Sequence, residues 1–224
     1  MVRILREEKV GKAEIKHYKV TAEESRYEAM MGAMRGERYG GTKPGSYAML
    51  FVDKTLWMSD TDMEWITNRE FVNNAHGNVL IAGLGMGFIL RAIMAKPEVK
   101  SIVVVESNLD VAELVLPRVA KWPGNKKLLV EIMDIHKYIP ASGQRFHTAY
   151  FDIWPSVNPD NWPEMKKLKA KARGWMMAGD PFNWIGCWRE MECRRFDASC
   201  RRQERTYDAA LGGKVNRMIN GVAL

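Results

Sequence analysis

Four places in this chain combine residue types and spacing suited to chemistry at one site. Val79–Gly87 reads VLIAGLGMG, four apolar residues running into three alternating glycines. That is a buried strand turning sharply into a helix, where glycine reaches positive φ and lets a ligand approach the backbone. The helix that follows offers unpaired N–H groups to electron-rich atoms. Ser101–Val105 is a second apolar run, ending at Glu106, nineteen residues after Gly87. An acidic residue there accepts hydrogen bonds from ribose hydroxyls in doubly wound folds. Lys127–Met133 leads to Asp134, and Thr148–Phe151 leads to Asp152. Taken singly, each acid has a plain reading as a helix cap or a turn residue. Taken together, they lie at the carboxyl ends of successive strands, where open α/β sheets bind ligands.

The elements that position these residues follow from periodicity and punctuation. Thr21 and Glu24 form a capping box before an expected helix over Ala22–Arg38. Met1 to about Gly45 is otherwise the least readable part, and the glycine-rich Arg38–Gly45 is loop, either a mobile substrate lid or a connector, with the connector expected. Ser46–Trp57 predicts two short strands around Asp53-Lys54, and Asp62–Asn74 predicts a helix. From Asn78 the chain alternates: strand to Ala82, helix Gly87–Ala95, strand Ser101–Val105, helix Leu109–Leu116 ended or kinked by Pro117. Strands Lys127–Met133 and Thr148–Phe151 follow, then a lysine-rich helix from Pro163 and a fifth strand at Trp175–Ala178. This alternation means an α/β fold: a doubly wound, Rossmann-like, mostly parallel sheet with a small N-terminal β element. The expected division is 1–77 for the N-terminal helix and β element, 78–182 for the ligand-binding domain, and 183–224 for a basic, aromatic extension packed on it.

Composition narrows the function classes. The chain has 224 residues and 46% hydrophobic content, enough for a substantial core. It has no run of eighteen apolar residues, so no membrane span is expected, and its charged N-terminus lacks a signal-peptide core. Cys187, Cys193 and Cys200 are too widely spaced for a metal clamp and have no histidine near them in sequence, so no metal site is expected. The expected compartment is the cytoplasm. A net charge of +7 and a pI near 9.3 suit anionic partners, nucleic acid among them, or serve solubility alone. A homodimer is left open.

The order of glycine turn, Glu106, Asp134 and Asp152 resembles the class I S-adenosylmethionine-dependent methyltransferases over about a third of the chain. The resemblance implies S-adenosyl-L-methionine, or its decarboxylated analogue, as cofactor. It places the methionine part against Gly83, Leu84, Gly85 and Gly87, the ribose on Glu106 and Ser107, and the adenine on Asp134 and Ile135. Leu50–Phe71 extends the likeness to the polyamine aminopropyltransferases, the spermidine synthase group, where Asp152 matches a catalytic aspartate that takes a proton from an amine. In that group the turn usually reads GGGDGG; here it reads GLGMGF, so Met86 stands in place of a carboxylate. The Asp-Ser-Ser/Thr-Asp-Pro signature is shortened to Asp152-Ile153-Trp154-Pro155, without its second acid. Both departures argue against a polyamine acceptor.

The expected activity is therefore methyl transfer to an unidentified small-molecule acceptor, with Asp152 orienting or deprotonating it. Trp57 and Trp154 are the candidate substrate contacts; Trp154 is either a stacking surface or simple packing. Aminopropyl transfer or sulfonium cleavage is the second reading, and a catalytically silent binding protein the third. A dinucleotide fingerprint would need glycine at position 88, where Phe88 stands. The Asp/Asn-Pro-Pro-aromatic motif of nucleic-acid amino methylation is incomplete after both the fourth and the expected fifth strand. His147 reads as structural or solvent-facing, and the Lys166–Arg173 run as a solvated helix face.

Overall fold

The computed structural model describes residues 6–34, 41–119 and 127–220. Its N-terminal part is an antiparallel sheet in the order β1-β2-β3-β4, from Glu8–Val10, Ala13–Val20, Gly45–Val52 and Thr55–Ser59. The β3–β4 turn lies at Asp53 and Lys54 as expected, with φ of 49° and 67°. Positive φ at both central residues matches the turn to the right-handed twist of its strands. The first two strands were not expected. Ala13, Ile15 and Val20 of β2 are buried, but lysines, histidine and tyrosine between them hide the alternation. Helix α1, Ala22–Met34, opens on the capping box, with Thr21 Oγ1 accepting the Glu24 N–H and the Glu24 carboxylate accepting the Thr21 N–H. Positions 35–38 of the expected helix lie outside the described residues.

Helix α2, Asp62–Asn74, leads into a five-stranded parallel sheet. Its elements are β5 (Gly77–Ala82), α3 (Phe88–Met94), β6 (Val99–Glu106), α4 (Leu109–Val119), β7 (Lys127–Ile132), β8 (Thr148–Phe151), α5 (Asn161–Arg173), β9 (Trp184–Cys187) and α6 (Glu190–Asn220). The order β7-β6-β5-β8-β9 reverses direction at β5, which opens a crevice at the strand ends. Alternate residues feed two cores. Val79, Ile81, Ile102, Val104 and Tyr150 pack with α3 and α4, while Leu80, Ala82, Val103, Ala149 and Phe151 pack with α5. Burial on both faces is why these strands read as unbroken apolar runs.

Three expectations are corrected here. The fifth strand is Trp184–Cys187, in register with β8 from Thr148↔Trp184 to Phe151↔Cys187, whereas 175–178 contributes only an isolated bridge between Met176 and Phe146. The apolar 175–178 run sits just after α5, and the turn through Gly179, Asp180 and Pro181 comes before the true strand, not after it. The sheet therefore continues past residue 182. Pro117 stays inside α4 and does not end it. Proline in a helix's last turn gives up its bond to the carbonyl four residues back, a loss that the helix's burial against the sheet can outweigh.

Candidate functional site

Register decides what the strand ends bring together. Ala82 pairs with Val105 on one side and Phe151 on the other, so Gly83 lies between Glu106 and Asp152. The Gly83 N–H donates to the Val105 carbonyl at 2.8 Å, and the Asp152 N–H to the Ala82 carbonyl at 2.8 Å. Above this row lies a cavity of about 610 Å³. Its wall includes Gly83, Leu84, Gly85, Glu106, Ser107, Asp134, Ile135 and Asp152, together with Trp57 and Trp154. The β1–β2 turn at Lys12 and strands β3 and β4, through Leu50 and Met58, bound the same space. Of the expected residues, only Gly87 is not part of the wall. It takes the left-handed conformation (φ 71°) at the start of α3, and its N–H donates to the Leu84 carbonyl.

The glycines serve the protein's own packing. A Cβ on Gly83 would fall 2.1 Å from the Asp152 carbonyl oxygen, and one on Gly85 would fall 2.4 Å from Met58 Sδ. The Met86 N–H donates to that sulfur at 3.1 Å, leaving the turn's outward donor with a weak acceptor. Met86 itself is buried in the core and is not part of the cavity wall.

Glu106 is 7% exposed and rigidly held. Its Oε2 accepts the Leu84 N–H at 2.7 Å and its Oε1 the Asn108 N–H at 2.8 Å. Burial pushes its pKa up, and these N–H groups pull the other way. The Ser107 and Gly85 N–H groups also favour its charged form, and the side chain lines the cavity. Asp134 Oδ1 accepts the His136 N–H at 2.8 Å, so Asp134 shapes its own turn while lining the cavity. Glu106→Ala is expected to weaken binding of an adenosine-containing cofactor by about 1.5–3 kcal/mol, the scale of charge-assisted hydrogen bonds. Calorimetry on the folded variant with unchanged affinity would remove that role.

Asp152 faces the cavity beside a carboxyl that sequence reasoning missed. Glu64 reaches it because α2 is pinned across β8: Tyr150 Oη donates to Asn68 Oδ1 at 2.6 Å, and the Phe71 and Tyr150 rings stack at 4.2 Å. Glu64 lies one turn before Asn68, on the cavity wall. Burial pushes its pKa up to about 7, against the Ser59 N–H and the Arg189 charge. Asp152 is pushed well above the usual carboxylate range by burial and then by Glu64. No local pattern marked Glu64, since it reads as an ordinary acid in a first helical turn.

The raised pKa has a consequence for stability. Below about pH 4.5 folded and unfolded chains both hold the Glu64 proton; between there and about 7 only the folded chain does, so stability falls as pH rises. Glu64→Gln removes that loss and is expected to gain roughly 2–3 kcal/mol over wild type between pH 5 and pH 8. Urea melts at the two pH values measure it, and parallel pH dependences would refute it.

The two tryptophans differ. Trp154 is 8% exposed, packs in the core beside α5, and its Nε1–H donates to Glu164. It forms cavity wall, and the packing reading describes it better than an open stacking surface. Trp57 is 40% exposed on β4. Trp188, missed in the sequence, enters the wall directly after β9, its Nε1–H donating to Thr67 Oγ1 at 3.3 Å. Arg189 follows with φ of 47° and its ring-stacked guanidinium ion-paired to Glu192. His147 is structural: its Nδ1 accepts the Asn78 N–H at 3.0 Å.

No family model matches the chain, and no curated protein matches it. Among solved structures it is similar to the N-methyltransferase NodS from Bradyrhizobium japonicum, at 15% identity over 54% of this chain and 66% of that one, with a TM-score of 0.41. It is also similar to the CcbJ methyltransferase from Streptomyces caelestis, at 18% identity over 50% and 45% of the two chains, with a TM-score of 0.37. A third is the glycopeptide N-methyltransferase MtfA complexed with sinefungin, at 20% identity over 50% and 44%, with a TM-score of 0.39. In each case the match spans less than two thirds of the solved chain.

Proposed function

We propose that this chain binds S-adenosyl-L-methionine and transfers its methyl group to a small acceptor. The observation that carries the reading is the convergence of the glycine turn, Glu106, Asp134 and Asp152 on one cavity of about 610 Å³ at the carboxyl edge of the sheet. That volume lies in the range of sites for ligands of this size. The residues present fit the cofactor. Glu106 lines the cavity where a ribose diol would lie, and Asp134 lines it where the adenine amino group would lie. The Met86 N–H holds only a thioether, so a carboxylate would be a stronger acceptor there, and Met58 is flexible enough to yield. When bound, the sulfonium supplies an activated methyl carbon and a neutral leaving group. The protein's part is to hold the nucleoside, exclude water with β3 and β4, and aim the acceptor by way of Asp152.

The four-stranded sheet and α2 ahead of the glycine turn keep the spermidine synthase-like arrangement as the finer reading of the scaffold. The two chemistries leave different products. Methyl transfer leaves S-adenosylhomocysteine, whereas aminopropyl transfer or sulfonium cleavage leaves methylthioadenosine. The test is calorimetry with S-adenosylhomocysteine, joined to mass spectrometry of small molecules retained by the purified protein. Saturable one-site binding is expected; absence of binding to the folded chain would overturn the reading.

A further inference from the structure

Helix α6 is anchored at its start and bare beyond it. Cys193 is fully buried in the core that holds Met165 and Leu168 of α5, whereas Arg201–Tyr207 are exposed throughout. The basic residues along this helix are not scattered. At about 100° per residue, Arg194, Arg195, Arg201, Arg202 and Arg205 fall within about 120° of its surface. They form two rows, Arg194-Arg201-Arg205 and Arg195-Arg202, with Ala198 between them, over about 17 Å of helix axis. The acids lie beside this face and not on it. Asp197 pairs with Arg201 at 3.0 Å, Glu190 takes Lys169 of α5 at 2.7 Å, and Glu204 falls further round. No ion pair reaches Arg195 or Arg202 among the described residues. The face continues onto α5, where the Trp162 ring lies 5.9 Å from Arg194 Cζ and 5.5 Å from the exposed Lys166 Nζ. None of these residues lines the cavity at the strand ends.

Arg201 and Arg205 stand at i and i+4, a spacing at which like charges destabilise a helix. The same arrangement becomes favourable against a dense, regular polyanion. Duplex DNA carries about one charge per 1.7 Å of axis, and its major groove, about 12 Å wide, admits an α-helix. A helix seated there turns its two arginine rows toward the phosphates of the two strands, and guanidinium forks match phosphate oxygens. A single strand would instead need rings on which bases stack. Trp162 is already covered by its two cations, and Phe196 and Tyr207 fall on the opposite side of α6. The major groove of A-form RNA is too narrow for side chains to enter. We propose that the arginine face of α6, extended by Lys166 of α5, binds the phosphate backbone of double-stranded DNA without regard to base sequence. Contacts of this kind fix a protein on the duplex and read no bases. The surface is separate from the cavity, so duplex binding holds whether or not the cavity takes a nucleoside.

The experiment is fluorescence anisotropy of the full chain with a labelled DNA duplex of about 20 base pairs, between about 50 and 200 mM salt. Five phosphate contacts are expected to give a slope of about −4.5 in log affinity against log salt, the same for two unrelated sequences. Arg195→Gln combined with Arg202→Gln is expected to lower affinity about tenfold or more and to make the slope shallower by about 2. Glutamine keeps the helix propensity of arginine and both positions are exposed, so α6 is retained. Lys9→Gln combined with Lys100→Gln removes the same charge from exposed positions elsewhere and is expected to change affinity by less than about twofold. Single-stranded DNA, duplex RNA, polyglutamate and phosphatidylserine vesicles serve as competitors, each expected to bind more weakly than the DNA duplex. Absence of saturable duplex binding at about 50 mM salt would overturn the proposal. So would equal losses in the two double variants, or equal or tighter binding of any competitor.

Discussion

Gly83→Ala is expected to destabilise the protein by about 3–5 kcal/mol and to abolish cofactor binding. Two independent penalties act at this position. Its φ of 97° lies where a side chain is strained, and the new Cβ would meet the Asp152 carbonyl oxygen at 2.1 Å. That oxygen belongs to the residue directly after β8, whose own N–H is bonded to the Ala82 carbonyl of β5, so relief requires the two strand ends to part. Gly179→Ala is the matched control. Its φ of 77° is also positive, but nothing lies within 4 Å of its Cβ, so only the backbone penalty of about 1–2 kcal/mol applies. Urea denaturation of both variants measures the difference. Equal losses would show that the close approach of β5 and β8 carries no energy.

Asp152→Asn is expected to retain affinity for S-adenosylhomocysteine while turnover falls by about 10²–10⁴-fold, the usual contribution of a positioned acid or base. Asparagine keeps the volume and the backbone contacts with Ala82 and Gly83, but it cannot take a proton. The substitution also removes a buried ionisable group whose pKa is pushed well above the usual range, so the variant is expected to be more stable at neutral pH. The sign is that of any raised carboxyl: stability is lost as pH rises and the folded state must surrender the proton. Release of S-adenosylhomocysteine, with the acceptor recovered from the purified protein or supplied as a metabolite extract, measures turnover. A native rate would make Asp152 a turn residue whose function is to accommodate Gly83.

Much of this site was legible because its signals are local. A buried parallel strand is apolar on both faces, and a strand-to-helix turn with positive φ is written in glycine, so β5, β6 and β8 and the acids after them announce themselves. The reason for the glycines was not legible. Room for a ligand and room for the Asp152 carbonyl leave the same letters in the sequence. The fifth strand was misplaced because 175–178 is as apolar as Trp184–Cys187, and only pairing with β8 separates them. Strands β1 and β2 were hidden by charge, since a sheet with a solvated face tolerates lysine and glutamate between buried positions.

The order of residues along the chain determined by itself the alternation of strand and helix, the sharp turn at Gly83–Gly87, and three acids after three strands, because backbone conformation and burial on both faces are encoded within a few neighbours. The tertiary structure alone decided that Glu64 stands with Asp152, that Trp188 enters the wall, and that β3 and β4 bound the cavity at the strand ends. Those contacts join residues tens of positions apart, through a stacked pair of rings, one hydroxyl-to-amide hydrogen bond and the strand register, none of which leaves a mark on adjacent letters.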